Sequence, residues 1–188
     1  QSTQGSAESM AALQAQALQL GAETSFSAGE AAAAMLEMSK AGMSLEDVSA
    51  GIGGVLDLAA AGGLGLADAA TIAANTVNAF NLSASETPKI ANMLAAAANA
   101  SSADVSDLAA GMQQAGAVFA SNDQSVQQLA SSLAILANNG IAGSDAGTSL
   151  KTMLMSLAAP TDKARGAMSD LGIMVYDSQG QMRDFGAI

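Results

Sequence analysis

The sequence predicts an all-α fold, an array or bundle of short antiparallel helical hairpins, with a small β-hairpin at its C-terminal end. Helix start and stop signals return about every 20 residues along the chain. Between them, apolar residues recur at the three- and four-residue spacing of an amphipathic helix. Because helices this short are unstable alone and their connections are brief, consecutive helices are expected to pack as antiparallel neighbours.

The beginning of the chain, residues 1–22, is rich in Gln and Ala and carries only a weak apolar stripe. We interpret this segment as the end of a helix or linker that enters from an upstream part of a longer protein. Residues 23–160 form the predicted helical core. Residues 161–188 are predicted to hold a short helix and the β-hairpin, at the start of a following subdomain.

Capping residues and glycines mark the predicted helix boundaries. The spacing of a capping box, in which two side chains satisfy free N–H groups, occurs at Ser27 with Glu30 and at Ser44 with Asp47. Glycine adopts the left-handed conformation at little cost, so Gly42 and Gly62-Gly63 are predicted to end helices. Further helix starts are predicted near Leu66, Ser85, Ser102, Asn122 and Ser144.

The predicted β-hairpin follows a change in apolar pattern. Ile173, Val175 and Tyr176 precede a glycine-bearing turn at 177–180, and further apolar residues follow it. Near-alternation around such a turn is typical of paired strands.

Composition excludes several kinds of chemistry. The chain has no His and no Cys, which removes Ser-His and Cys-His nucleophiles, zinc sites of Cys and His, and disulfides. Paired carboxylates such as Glu46-Asp47 lie at helix starts, where negative charge complements free N–H groups. The glycine-rich stretch 62–66 lacks the Lys-Ser/Thr pair of a phosphate loop. We therefore expect no enzyme activity, no catalytic residue, no cofactor and no metal.

The charge pattern argues against nucleic acid as a direct ligand. The net charge is −11, and the six basic residues leave the stretch from Ile90 to Leu150 without any. A phosphate-backbone footprint needs clustered Lys and Arg.

No stretch has the length of a membrane span, since charge and glycine interrupt the most apolar run, 52–66. The many alanines each remove little apolar area from water, so we expect marginal stability as a monomer, or stability supplied by partners.

The candidate functional segment is Gly140–Leu154. Its helix is predicted to start on Ser144, with Gly143 before it, and to present a face of small residues. Such a face allows another backbone to approach closely. The predicted packing residues of this segment are Gly143, Ser144, Ala146, Gly147, Thr148 and Leu150.

The order of these segments resembles the core region of phage tail tape measure proteins, of the phage-related minor tail protein type. The resemblance spans most of the chain, and residues 143–150, GSDAGTSL, carry its most specific motif. The other matching stretches are 20–27, 31–35, 39–43, 58–62, 69–80, 90–99, 136–141 and 171–180.

The resemblance implies a structural tail protein that templates the length of the tail tube and leaves the tail at infection to assist genome delivery across the host envelope. Implied partners are the tail tube protein, tail assembly chaperones, distal tail or baseplate proteins and further copies in the tail. Contact with the host membrane on ejection is also implied. The implied location is the tail lumen or tip of the virion, after assembly in the host cytoplasm.

Two other functions agree with the residues alone. A membrane-active, pore-forming helical domain would share the alanine-rich hairpins, although the chain is poor in Lys and Arg and has no Trp. A soluble helical adaptor or scaffold would need a repeat consensus, and the sequence shows regular turns without one.

Overall fold

The structure is a computed structural model that describes residues 2–188, with side chains described from residue 8 onward. Within this range the chain forms nine α-helices, two short 3₁₀ helices and no strand, which confirms the all-α class. The α-helices are α1 (Ser2–Glu23), α2 (Ala28–Lys40), α3 (Leu45–Gly62), α4 (Leu66–Ala79), α5 (Thr87–Asn99), α6 (Val105–Ser121), α7 (Val126–Asn138), α8 (Gly143–Ala158) and α9 (Asp162–Asp170). The 3₁₀ helices are Ala84–Glu86 and Phe185–Ala187.

The helices form two compact units. The first unit ends at Ala95 and the second covers Ala96–Ile188, so the boundary falls inside α5. The division predicted at residues 22 and 160 stays a prediction.

In the first unit, α2 packs against α1, α3 and α4. Its core is built from apolar side chains of α2 and α3, with Met38, Val48, Val55 and Leu58 fully buried. The first helix is joined to α3 by a reciprocal pair of hydrogen bonds. The Gln16 Nε2 group donates to the Ser49 carbonyl at 3.0 Å, and the Ser49 hydroxyl donates to Gln16 Oε1 at 2.9 Å.

In the second unit, α6 packs along α8, and α7 contacts both. Leucine side chains from the three helices fill the core around Phe119, which is fully buried. The Phe185 ring meets Phe119 edge to face, with ring centres 5.4 Å apart. The C-terminal segment thereby contributes to this core.

Several predicted boundary features are confirmed. Both capping boxes form, at Ser27 with Glu30 and at Ser44 with Asp47. Leu66 is the first residue of α4. Gly42 and Gly63 follow helix ends in the left-handed conformation, with φ of +92° and +61°.

Three predicted helix starts need correction. The start predicted at Ser102 lies at Val105, because the Asp104 carboxylate caps α6 by accepting the Asp107 N–H at 2.7 Å. Asn122 ends α6, and α7 begins only after Ser125 accepts the Gln128 N–H.

The third correction concerns the candidate segment. Helix α8 begins at Gly143, and its N-cap residue is Ala142, which makes no side-chain capping bond. Ser144 therefore lies inside the first turn and does not cap the helix.

The predicted β-hairpin is also corrected. Around its turn the structure has one isolated antiparallel bridge, between Tyr176 and Met182, and no strand in the described residues. After the bridge, the backbone makes hydrogen bonds to the side chain of Gln124 and not to a neighbouring strand. Gln124 donates to the Arg183 carbonyl at 3.2 Å and accepts the Phe185 N–H at 2.7 Å.

No single helix in residues 2–188 has the length and apolar character to cross a membrane. The pair α3 and α4 meets the two criteria together, with a bend of 118° between its halves.

Candidate functional site

The candidate segment lies where α8 crosses α6 in the second unit. Gly147, in the second turn of α8, faces Gly111 in the middle of α6. A Cβ atom added to Gly147 would lie 2.2 Å from the Gly111 carbonyl oxygen and 2.7 Å from the Gly111 Cα. The two backbones are therefore in direct contact, and only glycine fits at position 147.

Helix α7 contributes a side chain to the same crossing. A Cβ atom on Gly111 would lie 2.4 Å from Cδ2 of Leu133, which belongs to α7, and 3.2 Å from the Gly143 carbonyl oxygen. Leu133 is buried. Gly111 thus admits both the α8 backbone and a leucine from α7.

The six predicted packing residues divide into three groups by burial. Ala146, Gly147 and Leu150 are buried. Gly143 is half-buried and begins the helix with a φ of +61°. Ser144 and Thr148 are exposed and lie outside the crossing.

Sequence reasoning missed Gly111 and Leu133, which complete the crossing. A signal for Gly111 is present in the sequence. Glycine in a helix interior costs about 1 kcal/mol relative to alanine, so its place within the apolar stripe of α6 indicates a close neighbour. The identity of that neighbour, Gly147 on a different helix, has no local signal.

The first unit contains a related close approach. A Cβ atom on Gly54 of α3 would lie 2.4 Å from the Pro88 nitrogen, at the start of α5. One turn earlier, a Cβ on Gly51 would lie 2.9 Å from the Met38 Cε and 3.0 Å from the Thr87 Oγ1. The buried Thr87 hydroxyl donates to the Ala84 carbonyl at 2.6 Å.

The electrostatics of the described residues centre on helix caps. The pKa of Glu30 is lowered because its carboxylate accepts hydrogen bonds from the backbone N–H and then from the hydroxyl of Ser27. The buried side chains of Thr76, Thr87 and Gln124 all have hydrogen-bond partners. No group of three acidic residues within residues 2–188 could hold a metal ion. These contacts stabilise helices and present no reacting group.

An open apolar groove of about 620 Å³ lies in the second unit, between the end of α8, α9 and residues 172–176. Arg165 is the charged residue in its lining, and its guanidinium donates to the Pro160 carbonyl at 3.5 Å. The groove lacks the converging polar groups of a small-molecule site.

The most constrained feature of this helical chain is the backbone-to-backbone contact between Gly111 and Gly147. Comparison with known proteins gives its family: the model of the phage-related minor tail protein family matches residues 14–188. The chain belongs to that family.

Two curated relatives cover nearly the whole chain. A tape measure protein of Pneumococcus phage Dp-1 is 38% identical over 94% of this chain, and a probable tape measure protein of Escherichia phage P2 is 34% identical over 93%. The chain spans 15% and 21% of the lengths of these two relatives. No solved structure matches the chain.

These findings confirm the resemblance to tape measure proteins. The family match and the two relatives support a structural role in a phage tail.

Proposed function

We propose that this chain is a segment of a tape measure protein that templates tail tube length during assembly and is released at infection to assist genome delivery. The strongest support is the sequence similarity to a tape measure protein and a probable tape measure protein, from two phages, across more than nine tenths of the chain. The absence of reactive groups from the described crossing agrees with a role in assembly.

A helical chain can serve as a length template because its rise is fixed at about 1.5 Å per residue. Drawn into one straight helix, 188 residues would extend roughly 280 Å. Each folded unit, by contrast, has an expected radius of gyration of about 12 Å. The two states would contribute very different lengths to a tail.

The composition of the core suits a change between such states. Many of its buried side chains are alanine, including Ala31, Ala34, Ala69 and Ala74. Since stabilisation follows buried apolar area at roughly 25 cal/mol per Å², each alanine contributes little. We propose a metastable segment that repacks between storage in the tail and release.

The same proposal includes the partners and the location. The segment contacts the tail tube protein, tail assembly chaperones and distal tail or baseplate proteins, and it lies beside further copies in the tail lumen or tip. Assembly takes place in the host cytoplasm. Within the segment, the residues that surround Gly147 serve packing, and they bind no nucleic acid directly.

An in-frame deletion of residues 14–188 in a phage that carries this gene tests the template role. We expect tails shorter than those of the parent phage, measured by electron microscopy of intact particles. Gly147→Leu at full chain length is the matched control, because it disturbs the fold and keeps the number of residues. Tails of unchanged length after the deletion would contradict the proposal.

Membrane contact on ejection is a second candidate function, favoured by the combined length and apolar character of α3 and α4. Their apolar faces are buried in the first unit, so the helices must unpack before they enter a bilayer. Leakage from anionic liposomes at neutral and acidic pH tests this role. Leakage that Gly54→Leu increases, by loosening the unit, would support it, and intact liposomes under all conditions would contradict it.

A further inference from the structure

We infer that the chain contains two tandem copies of one three-helix module. The first module is α3, α4 and α5, and the second is α6, α7 and α8. Leu45 begins α3 and Val105 begins α6. We call the difference between these two residue numbers the module offset. The same offset relates Leu66 and Val126, which begin α4 and α7. This inference concerns the architecture and stands independently of the proposed function.

The connection between the first and second helices has the same left-handed backbone turn in both modules. Gly63 and Asp123, which the module offset relates, both adopt the left-handed conformation, with φ of +61° and +58°. In each turn, the next N–H group bonds to a carbonyl five residues back. These bonds join Leu64 to Ala59 at 3.0 Å and Gln124 to Phe119 at 2.9 Å.

The second turn of each module also matches. Asn81 and Gly140 are left-handed, with φ of +49° and +86°. The following N–H groups bond five residues back, from Leu82 to Val77 and from Ile141 to Leu136, both at 2.9 Å. From this turn onward the offset is shorter by one position, because α7 is one residue shorter than α4.

The third helices agree at this shortened offset. Including the 3₁₀ turn that precedes α5, the third helix of the first module covers 84–99, and its counterpart α8 covers 143–158. Both begin beside the equivalent glycine of the first helix. A Cβ on Gly51 would lie 3.4 Å from the Ala84 carbonyl oxygen, and one on Gly111 would lie 3.2 Å from the Gly143 carbonyl oxygen.

Many buried positions of the first two helices coincide although the residue types differ. Pairs related by the module offset in the first two helices are buried in both modules: Val48 and Leu108, Gly51 and Gly111, Ile52 and Met112, Val55 and Ala115, Ala59 and Phe119, Ala69 and Leu129, Ala70 and Ala130, Ala73 and Leu133, Ala74 and Ala134. In the third helices, the shortened offset pairs the buried residues Thr87 with Ala146 and Ala91 with Leu150, whereas the buried Ile90 and Leu94 fall opposite the exposed Ser149 and Met153. A shared pattern along two helices, the start of the third and two matched turns indicates duplication of a module.

An asparagine anchors each module to the helix in front of it. The Asn78 side chain donates to the Ala41 carbonyl, just after α2, at 2.8 Å. Its counterpart Asn138 donates to the Ala100 carbonyl, just after α5, at 3.4 Å. In both modules the asparagine near the end of the second helix thus bonds to a carbonyl that lies just after an earlier helix.

The end of α8 is also the end of the second module. There the Ala158 carbonyl accepts a hydrogen bond from the Tyr176 hydroxyl at 2.8 Å. The segment after α9 therefore bonds to the backbone at the end of the second module.

Deletion of residues 45–104 from the full chain tests the duplication. It joins Ser44 to Val105 and gives Ala41 and Asn138 the sequence separation that Ala41 and Asn78 have in the intact chain, 37 residues. We expect α6 and α7 to replace α3 and α4 beneath α2. Amides of α2 should then exchange with solvent on the order of tenfold or more slowly than in an unfolded peptide.

The matched control is deletion of residues 45–86, which removes less of the chain and joins α2 to α5 out of phase. Here α2 amides should lose their protection, because no complete hairpin follows α2. A second in-phase variant, deletion of residues 66–125, joins Gly65 to Val126 and should pair α3 with α7. Unprotected α2 amides in both in-phase variants, or equal protection in the control, would overturn the duplication.

Discussion

In the two units, the modules share helix starts and left-handed turns, but the buried residues at matching positions differ in size. At positions where the first unit has Ala59, Ala69 and Ala73, the second has Phe119, Leu129 and Leu133. The equivalent glycines are covered from different helices: Met38 of α2 lies against Gly51, whereas Leu133 of α7 lies against Gly111. A small residue at one position is compensated by a large one from another helix, which is how one module accepts two sequences.

The close backbone contact also lies at different points. In the second unit it joins Gly111 and Gly147, and in the first it joins Gly54 and Pro88, the counterpart of Gly147. Gly54 is one helical turn beyond Gly51, the counterpart of Gly111. The third helix can therefore meet the first helix at either of two successive turns, provided that a glycine lies there.

The largest effect is expected from Gly147→Leu. The new Cβ would overlap the Gly111 backbone, which cannot move as a flexible side chain could. We expect a loss of about 4 kcal/mol or more in the free energy of unfolding, measured by chemical denaturation. Gly166→Leu in α9, where no atom lies within 4 Å, is the control and should cost little. Equal effects at the two positions would contradict the close packing.

Met38 and Leu133, which lie against Gly51 and Gly111, should contribute nearly equally to the free energy of unfolding. Met38→Ala and Leu133→Ala each remove a buried side chain and should cost about 2–5 kcal/mol. Leu36→Ala and Ile135→Ala, whose side chains are 55% and 63% exposed, are the controls in the same helices. The compensation between units would be refuted if either buried substitution cost no more than its exposed control.

A smaller change separates two neighbouring glycines of α3. Gly54→Ala places a methyl group 2.4 Å from the Pro88 nitrogen and should destabilise the chain by about 1–3 kcal/mol. Gly53→Ala meets no atom within 4 Å and should stabilise it by about 0.5–1 kcal/mol, since alanine favours the helix. Thermal denaturation of the two variants should therefore shift in opposite directions. A shared direction would be inconsistent with the first-unit contact.

Capping chemistry gives the smallest difference between the units. The cap of α2 uses a carboxylate, Glu30, whereas the equivalent position in the cap of α7 is the neutral Gln128. Because folding lowers the pKa of Glu30 from its ordinary value of 4.5, its stabilisation is present above that value and is lost as the pH falls through the folded pKa.

Denaturation as a function of pH tests this difference. Glu30→Gln should remove part of the stability loss below pH 4.5, and Gln128→Glu should add a similar loss in the second unit. Identical acid profiles for both variants and the parent chain would show that neither cap titrates on folding.

Sequence predicted the parts of the fold that depend on local chemistry. The boxes at Ser27 and Ser44 were identifiable because capping uses side chains three residues apart. The start at Asn122 was wrong because several capping residues occur together, and only Asp123 takes the left-handed turn that ends the helix. Spacing alone does not say which polar residue makes that turn.

Features that join distant residues were less predictable. The apolar alternation after Ile173 predicted a hairpin, but the described residues form one bridge there, and beyond it the backbone bonds to Gln124, which lies much earlier in the chain, between α6 and α7. The sequence drew attention to the segment Gly140–Leu154 but not to Gly111, which contacts it. The duplication had no consensus because left-handed turns accept Gly63 in one copy and Asp123 in the other.

Amide hydrogen exchange of the unmodified chain tests most directly the claim that each unit is held together at its glycine contact. We predict that the slowest amides lie in α3 around Gly54 and in α6 and α8 around Gly111 and Gly147, while those of α9, which has no buried residue, exchange fastest among the helices. Exchange near these glycines as fast as in α9 would contradict the claim.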